Sequence, residues 1–202
     1  MESLKNHSRK SSLISLRPAD WAETLYAWKI ALENKDRPTA LILSRQDVDE
    51  LPTAPGMSRR EEARQTITGA YILSISDPQP QIILLGNGAD VGLLAQAASL
   101  IRTKGKTVRV ISCPSQGLLL EYFENHPEVR ATLFPHHILI LAVTAGIPDT
   151  WFRFTHHVIG LESFGFSAPY SVLESFLGFT AEKIADHALT LLEAEQLSQA
   201  IH

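Results

Sequence analysis

The chain has 202 residues, of which 45% are hydrophobic and 20% are charged, so it has the composition of one globular domain or of one domain with part of a second. A formal net charge of −4 provides no global basic field for nucleic acid, and the single cysteine, Cys113, excludes an internal disulfide framework and a cysteine-rich zinc module. Because no apolar run reaches the roughly 18 residues of a membrane span, we expect a soluble, cytoplasmic protein without membrane or nucleic-acid partners.

Residues 1–17 differ in composition from the rest of the chain. They carry four basic residues and five serines, with Glu2 as the single acid. Transit peptides have this composition, but the segment lacks a convincing apolar stripe. We favour a disordered or truncated start here, and the transit-peptide interpretation stays open.

The first predicted helix begins after Pro18. Asp20 followed by Glu23 is the pattern of a capping box, and the Arg37-Pro38 dipeptide should end the helix. One apolar stripe lies along it at helical spacing: Trp21, Leu25, Trp28 and Leu32. The apolar run over residues 39–43 then predicts a strand that is covered on both faces.

Arg45 follows this strand directly, in the triplet Ser44-Arg45-Gln46. The carboxyl end of a buried strand is where α/β sheets place ligand contacts, and a guanidinium there can hold a phosphate through two hydrogen bonds. Exposed arginines at strand ends are also common, so the position alone does not establish a binding role.

Residues 47–68 are dominated by charged residues, prolines and a glycine. The segment has little apparent capacity for burial, and it is long for a loop inside a compact domain. We therefore predict a linker.

From residue 69 to residue 202 the pattern predicts strands that alternate with helices. The predicted strands cover residues 69–75, 81–85, 107–111, 137–143 and 157–161. Predicted helical faces lie between them, and Thr180 is a suitable cap for a last helix. This alternation is typical of an α/β sandwich with a mostly parallel sheet.

The turn at residues 86–92 lies where a dinucleotide-binding fingerprint would lie. The third glycine of that motif is replaced by Val91, and the next strand ends in Ser112-Cys113 rather than near an acid. We favour a tight turn that leads into a helix. A nucleotide-binding domain that uses this turn remains a further hypothesis.

Four other features suggest chemistry and have simpler explanations. Ser167 lies in a sequence close to a nucleophile elbow, but proline replaces the last glycine. The pairs His136-His137 and His156-His157 place their members on opposite strand faces, which disfavours a shared metal ion. Cys113 follows a strand and could lie at an open sheet edge, but no activating base is close in sequence, so a structural thiol is favoured.

Several stretches, in this order, resemble the C-terminal part of transketolase. The resemblance is carried by residues 17–20, 27–29, 37–46, 69–71, 88–91, 108–112, 164–169 and 178–182. It covers nearly everything from Leu16 to Leu192. Residues 18–46 resemble the end of the family's pyrimidine-binding domain, and residues 69–202 resemble its C-terminal domain.

The resemblance implies a three-layer α/β/α sandwich with a five-stranded, mostly parallel mixed sheet. It implies transfer of a two-carbon ketol unit from a ketose phosphate to an aldose phosphate, in the pentose phosphate pathway. Thiamine diphosphate and a divalent metal, Mg or Ca, serve the complete family enzyme. By resemblance, Arg45 is the residue that contacts the sugar phosphate.

The segments that hold the coenzyme in this family have no counterpart in these 202 residues. We therefore predict no catalytic, cofactor-binding or metal-binding residue, and an isolated chain that is inactive and binds no cofactor. The expected partner is a second copy or a complementary transketolase subunit. The alternative is a non-catalytic binding or regulatory module that docks on a complete transketolase through the face of Trp21 and Trp28.

Overall fold

The computed structural model describes residues 12–161 and 170–201. Its N-terminal part is a small unit of two strands and a helix: β1 (Ile14–Leu16), α1 (Trp21–Glu33) and β2 (Thr39–Leu41). The two strands are parallel, with Ile14 opposite Thr39 and Leu16 opposite Leu41. Asp20 caps α1 as predicted, since its carboxylate accepts a hydrogen bond of 2.9 Å from the Glu23 N–H.

The segment over residues 47–68 contains α2 (Arg59–Ala63), followed by a 3₁₀ helix (Arg64–Thr68). The prediction that this segment buries little is wrong. Its buried residues include Leu51, Arg59, Glu62, Ala63 and Thr66. The charged side chains are buried because they pair with one another and with α1, so a polar composition does not keep them in water.

A five-stranded sheet forms the centre of the larger part of the chain. Its strands are β3 (Tyr71–Ile72), β4 (Ile82–Gly86), β5 (Val108–Ser112), β6 (Leu139–Val143) and β7 (His157–Ile159). Their order is β3-β5-β4-β6-β7, and only β3 runs antiparallel to its neighbour among these five. This confirms the predicted mostly parallel mixed sheet, although β3 is much shorter than the strand predicted over residues 69–75.

Helices cover the sheet on both faces. They are α3 (Asp90–Thr103), α4 (Gln116–Asn125), α5 (Pro127–Leu133) and α7 (Ala181–Ile201), with a 3₁₀ helix at Pro148–Arg153. Helix α6 (Tyr170–Leu177) precedes α7. Leu84 packs in a cluster with α3 and α7, whereas its neighbour Leu85 packs in another with α4 and Trp151. Because adjacent strand residues face opposite sides, these two cores establish the three layers.

Gly69 marks the point where the 3₁₀ helix ends and the sheet domain begins. Its φ is +90°, and a Cβ at this position would lie 2.2 Å from the backbone nitrogen of Leu119. Only glycine tolerates both the left-handed backbone and this approach to the start of α4. No helix in the described ranges is both long and apolar enough to cross a lipid bilayer.

Candidate functional site

Arg45, the predicted phosphate ligand, lies beyond the end of β2 and is exposed. Its side chain has no hydrogen bond or ion pair within the described part of the chain. The prediction that the preceding strand is covered on both faces is wrong. Ile42 and Leu43 are 49% and 51% exposed, because β1 is the only strand that pairs with β2 among the described residues.

Helix α1 carries its apolar stripe on the outside. Trp21 and Trp28 are each 52% exposed, and Leu32 is 75% exposed. The face that α1 buries holds Ala22, Glu23 and Ala27 instead. We call the exposed set the outer face: Trp21, Leu25, Trp28, Leu32, Ile42 and Leu43. Apolar exposure of this size is typical of a surface that another protein unit covers.

Beneath α1 lies a buried charge cluster centred on Arg59. Its Nε donates to Asp20 at 2.6 Å, its Nη1 to Glu62 at 2.9 Å, and its Nη2 to Glu23 at 3.2 Å and to the Tyr71 hydroxyl at 2.6 Å. The side chains of these three acids and of Arg59 are at most 1% exposed. One guanidinium therefore contacts three carboxylates away from water.

Glu23 connects this cluster to the sheet. Its carboxylate accepts hydrogen bonds from the Tyr71 hydroxyl at 2.5 Å, the Ser112 hydroxyl at 2.7 Å and the Ala19 N–H at 2.7 Å. Burial raises the pKa of Glu23, and these donors, together with the charge of Arg59, oppose that rise. The predicted capping box is thus shifted by one residue, since Glu23 reaches the Ala19 N–H rather than that of Asp20.

Sequence reasoning missed the role of Arg59. Asp20 and Glu23 were visible as a helix-start pattern, but their partners Arg59 and Tyr71 are 39 and 48 residues away from Asp20 and Glu23 respectively. The group is a structural cluster: each charged member is engaged by another, and it joins α1, α2 and the sheet.

The turn at residues 86–92 contacts Arg17, which comes from the N-terminal unit. The Gly88 N–H donates to the Arg17 carbonyl at 2.9 Å, and a Cβ at Gly88, where φ is +61°, would lie 3.3 Å from the Arg17 Nε. Asp90, the first residue of α3, accepts from the Ala145 N–H at 2.8 Å, and burial raises its pKa. The turn leads directly into α3, as the tight-turn interpretation predicts.

The remaining candidate residues that the structure describes form no shared site. Within residues 12–161 and 170–201, no three His, Cys, Asp or Glu side chains are grouped so that they could hold a metal ion. Cys113 is fully buried, contrary to the possibility of an open sheet edge, and burial raises the pKa of its thiol. Ser167 and the rest of the 164–169 stretch lie outside the described residues.

Comparison with known protein families identifies the fold. Residues 69–180 match the sequence model of the transketolase-like TK C-terminal domain. The chain belongs to this transketolase family. The resemblance to the C-terminal portion of transketolase is therefore confirmed.

Individual transketolases extend the match beyond that domain. Transketolase 2 from Vibrio parahaemolyticus is 37% identical over 180 residues, which cover 87% of this chain and 26% of the relative. A crystal structure of Pichia stipitis transketolase in complex with sedoheptulose 7-phosphate superposes with a TM-score of 0.78 at 29% identity, covering 92% of this chain and 26% of that one. The chain thus spans about a quarter of the length of the transketolases that it matches.

One further structure shares the fold. A split-gene transketolase, described as an inactive β4 tetramer, superposes with a TM-score of 0.65 at 17% identity. It covers 90% of this chain, and this chain covers 58% of it.

Proposed function

We propose that this chain supplies the C-terminal part of a thiamine diphosphate-dependent transketolase, which moves a two-carbon ketol unit from a ketose phosphate to an aldose phosphate. The match of residues 69–180 to the transketolase C-terminal domain carries this proposal. Residues 18–46 belong to the pyrimidine-binding domain, residues 47–68 form the connection, and residues 69–202 form the C-terminal domain. The complete enzyme is a cytoplasmic dimer.

The residues of this chain do not fit the coenzyme by themselves. Thiamine diphosphate supplies a carbanion-stabilising carbon, and it needs a carboxylate at its pyrimidine and a metal ion at its diphosphate. In the described ranges the buried carboxylates Asp20, Glu23 and Glu62 already bind Arg59, and no group of metal-ligating side chains is present. No step of the reaction is therefore assigned to this chain beyond substrate binding.

Arg45 is the residue to which we assign that binding. Its guanidinium is exposed and has no protein partner in the described part of the chain, so it is available to a sugar phosphate. In a complete enzyme it would contact the phosphate that lies far from the reacting carbonyl, and would thus contribute to binding rather than to bond cleavage.

The isolated 202-residue chain should neither bind the coenzyme nor turn over substrate. Calorimetric titration with thiamine diphosphate and Mg²⁺, together with a coupled ketol-transfer assay, tests this directly. Activity should appear when the chain is mixed with the upstream three quarters of the Vibrio parahaemolyticus enzyme. Coenzyme binding or turnover by the isolated chain would contradict the proposal.

In such a reconstituted enzyme, Arg45→Ala should raise KM for phosphorylated sugars about 10-fold or more and change kcat less, because a charge-assisted phosphate contact contributes roughly 1.5–3 kcal/mol. Steady-state kinetics with a phosphorylated and a non-phosphorylated ketose separate the two parameters. Arg60→Ala is the matched control, since Arg60 is also exposed but lies on α2. An unchanged KM for the phosphorylated sugar in Arg45→Ala would remove the assigned role.

The second candidate function is a non-catalytic module that docks on a complete transketolase or on a complementary subunit. The outer face favours it, because Trp21, Trp28 and Leu32 are exposed. A solved structure with the same fold is described as a split-gene transketolase. Light scattering after mixing with a full-length transketolase should show a complex that Trp28→Glu weakens and Leu197→Glu, at an exposed position on α7, does not. A chain that remains alone in every mixture would contradict docking.

A further inference from the structure

We propose that a cavity at the carboxyl ends of β4, β5 and β6 binds a small organic phosphate through Arg17. Arg45 is not among the residues that line this cavity. Its volume is about 270 Å³, which suits a phosphate group with a few carbon atoms rather than a drug-sized molecule. Among its walls are Arg17, Asn87, Gln116, Thr144 and Thr150.

The topology of the sheet places this cavity where α/β folds bind ligands. The chain leaves β4 to form β5 on one side of it and later returns to form β6 on the other. Such a reversal of strand order opens a crevice between the carboxyl ends of the central strands. Asn87 follows β4 and Thr144 follows β6, and both line the cavity.

Arg17 provides the charge that an anion requires. Its Nη1 donates to the Asn87 Oδ1 at 3.2 Å and to the Thr144 Oγ1 at 3.3 Å, both uncharged acceptors. Within the described residues no carboxylate forms an ion pair with Arg17, and its Nε and Nη2 have no acceptor. The charge of Arg17 also acts on the buried Asp90, but Asp90 is not in the cavity walls and forms no ion pair with Arg17. A half-buried guanidinium that forms no ion pair is a strong binder of phosphate oxygens.

The backbone of Arg17 is held independently of its side chain. Its N–H donates to the Pro114 carbonyl at 2.8 Å, and its carbonyl accepts from the Gly88 N–H at 2.9 Å. The guanidinium is therefore presented from a fixed point, and ligand binding requires little ordering of the chain.

The start of α4 adds donors to the same cavity. Gln116 and Gly117, its first two residues, line the cavity, and their backbone N–H groups have no acceptor among the described residues, since Ser115 caps the Leu118 N–H instead. Trp151 forms an aromatic wall. These uncompensated N–H groups reinforce the positive charge of Arg17.

A second cavity of similar size, about 260 Å³, provides the contrast. Its walls include Asp47, Asp49 and Glu50 and no basic residue. The Arg17 cavity has one cation and no acid in its walls. An anion is therefore expected in the Arg17 cavity and not in the acidic one.

The test is a titration of the full chain with glycerol 3-phosphate, inorganic phosphate and glycerol, followed by phosphorus NMR and calorimetry at low ionic strength. We expect one molecule of glycerol 3-phosphate to bind per chain with Kd of about 1 mM or lower, and neutral glycerol not to bind. Arg17→Met should weaken binding about 10-fold or more, and Arg60→Met, which removes the same charge elsewhere on the surface, should leave it unchanged.

A second variant protects the test against misfolding of Arg17→Met. Ile147 lines the cavity and is 71% exposed, so Ile147→Glu adds a carboxylate at low risk to the fold, and Ile147→Gln is its uncharged control. We expect Ile147→Glu to weaken binding of glycerol 3-phosphate and Ile147→Gln to leave it unchanged. Absence of binding at a glycerol 3-phosphate concentration about 20-fold above the expected Kd would overturn the proposal. Equal loss in Arg17→Met and Arg60→Met would also overturn it, because binding would then follow the net charge of the chain.

Loss of binding in Arg45→Met, with Arg17→Met unaffected, would also overturn it, because the phosphate would then lie at Arg45. The titration needs no coenzyme and no turnover. A negative result here therefore leaves the proposed ketol transfer untouched, and inactivity of a reconstituted enzyme does not affect this site.

Discussion

The N-terminal unit and the five-stranded sheet use similar apolar patterns with opposite results. In the sheet domain, Leu84 and Leu85 are both fully buried because helices cover each face. In the N-terminal unit, the stripe of Trp21, Trp28 and Leu32 faces outward, and α1 packs through two alanines and a glutamate. An apolar stripe thus becomes a core only where another layer of the structure meets it.

Charged and polar contacts connect the two regions, in addition to apolar packing such as that of Leu118 on α4 against the cluster that contains Leu16. Arg37 forms a bidentate pair with Glu121 on α4, with both distances at 2.6 Å. Arg17 reaches Asn87 and Thr144, and Glu23 reaches Ser112. Substitutions in each region test how much these contacts and the two apolar surfaces contribute to stability. They are given from the largest expected effect to the smallest.

Arg59→Met should have the largest effect on stability. It leaves Asp20, Glu23 and Glu62 buried without their cation, and removal of one partner from a buried ion pair typically costs about 3–5 kcal/mol. Urea unfolding followed by circular dichroism measures the loss. Arg60→Met, one residue along but exposed, should change the free energy of unfolding by less than about 0.5 kcal/mol. Equal effects would show that the cluster does not join the regions.

Leu84→Ala and Leu32→Ala compare the two apolar surfaces directly. Truncation of the fully buried Leu84 should lower the free energy of unfolding by about 2–5 kcal/mol. Leu32 is 75% exposed, so its truncation should cost less than about 0.5 kcal/mol in the isolated chain. The same urea titration measures both. A large cost at Leu32 would mean that the outer face is already covered, for example by self-association.

Asp90→Asn should have the smallest effect, confined to the pH dependence of stability. Burial raises the pKa of Asp90, against the Ala145 N–H and the charge of Arg17, so the native state keeps this proton to higher pH than the unfolded chain. Its stabilising contribution is present below about pH 3.9, the ordinary aspartate pKa, and is lost as pH rises through the raised value.

Unfolding free energies of both proteins between about pH 4 and pH 7 provide the measurement. The stability of the natural chain relative to Asp90→Asn should fall as pH rises, because asparagine still accepts from the Ala145 N–H but does not ionise. A difference that rises with pH would show that the native state favours the ionised carboxylate.

Local patterns predicted the strands and helices of the sheet domain well. Runs such as residues 82–85 are short and continuously apolar, which is typical of a strand covered on both faces. The start of α1 was predicted equally well, because Asp20 lies close in sequence to the amide that it caps. The burial of the 47–68 segment was not predicted, because the compensation of Arg59 depends on residues distant in sequence.

For the candidate site, too, the sequence predicted one part and not another. The Ser44-Arg45-Gln46 triplet identified Arg45 through resemblance, but its exposure depends on which strands flank β2. No pattern in the sequence predicted the Arg17 cavity. Its walls come from segments as far apart as Ser15 and Trp151.

The amino-acid sequence by itself determined the layered α/β fold, because apolar periodicity and turn residues act over a few neighbouring positions. The family followed from the resemblance of its ordered motifs to transketolase. Tertiary structure alone decided which apolar stripe is covered, where buried charges find their partners and which strand ends surround Arg17. Those outcomes depend on contacts between residues tens of positions apart, and the local pattern of either partner does not contain them.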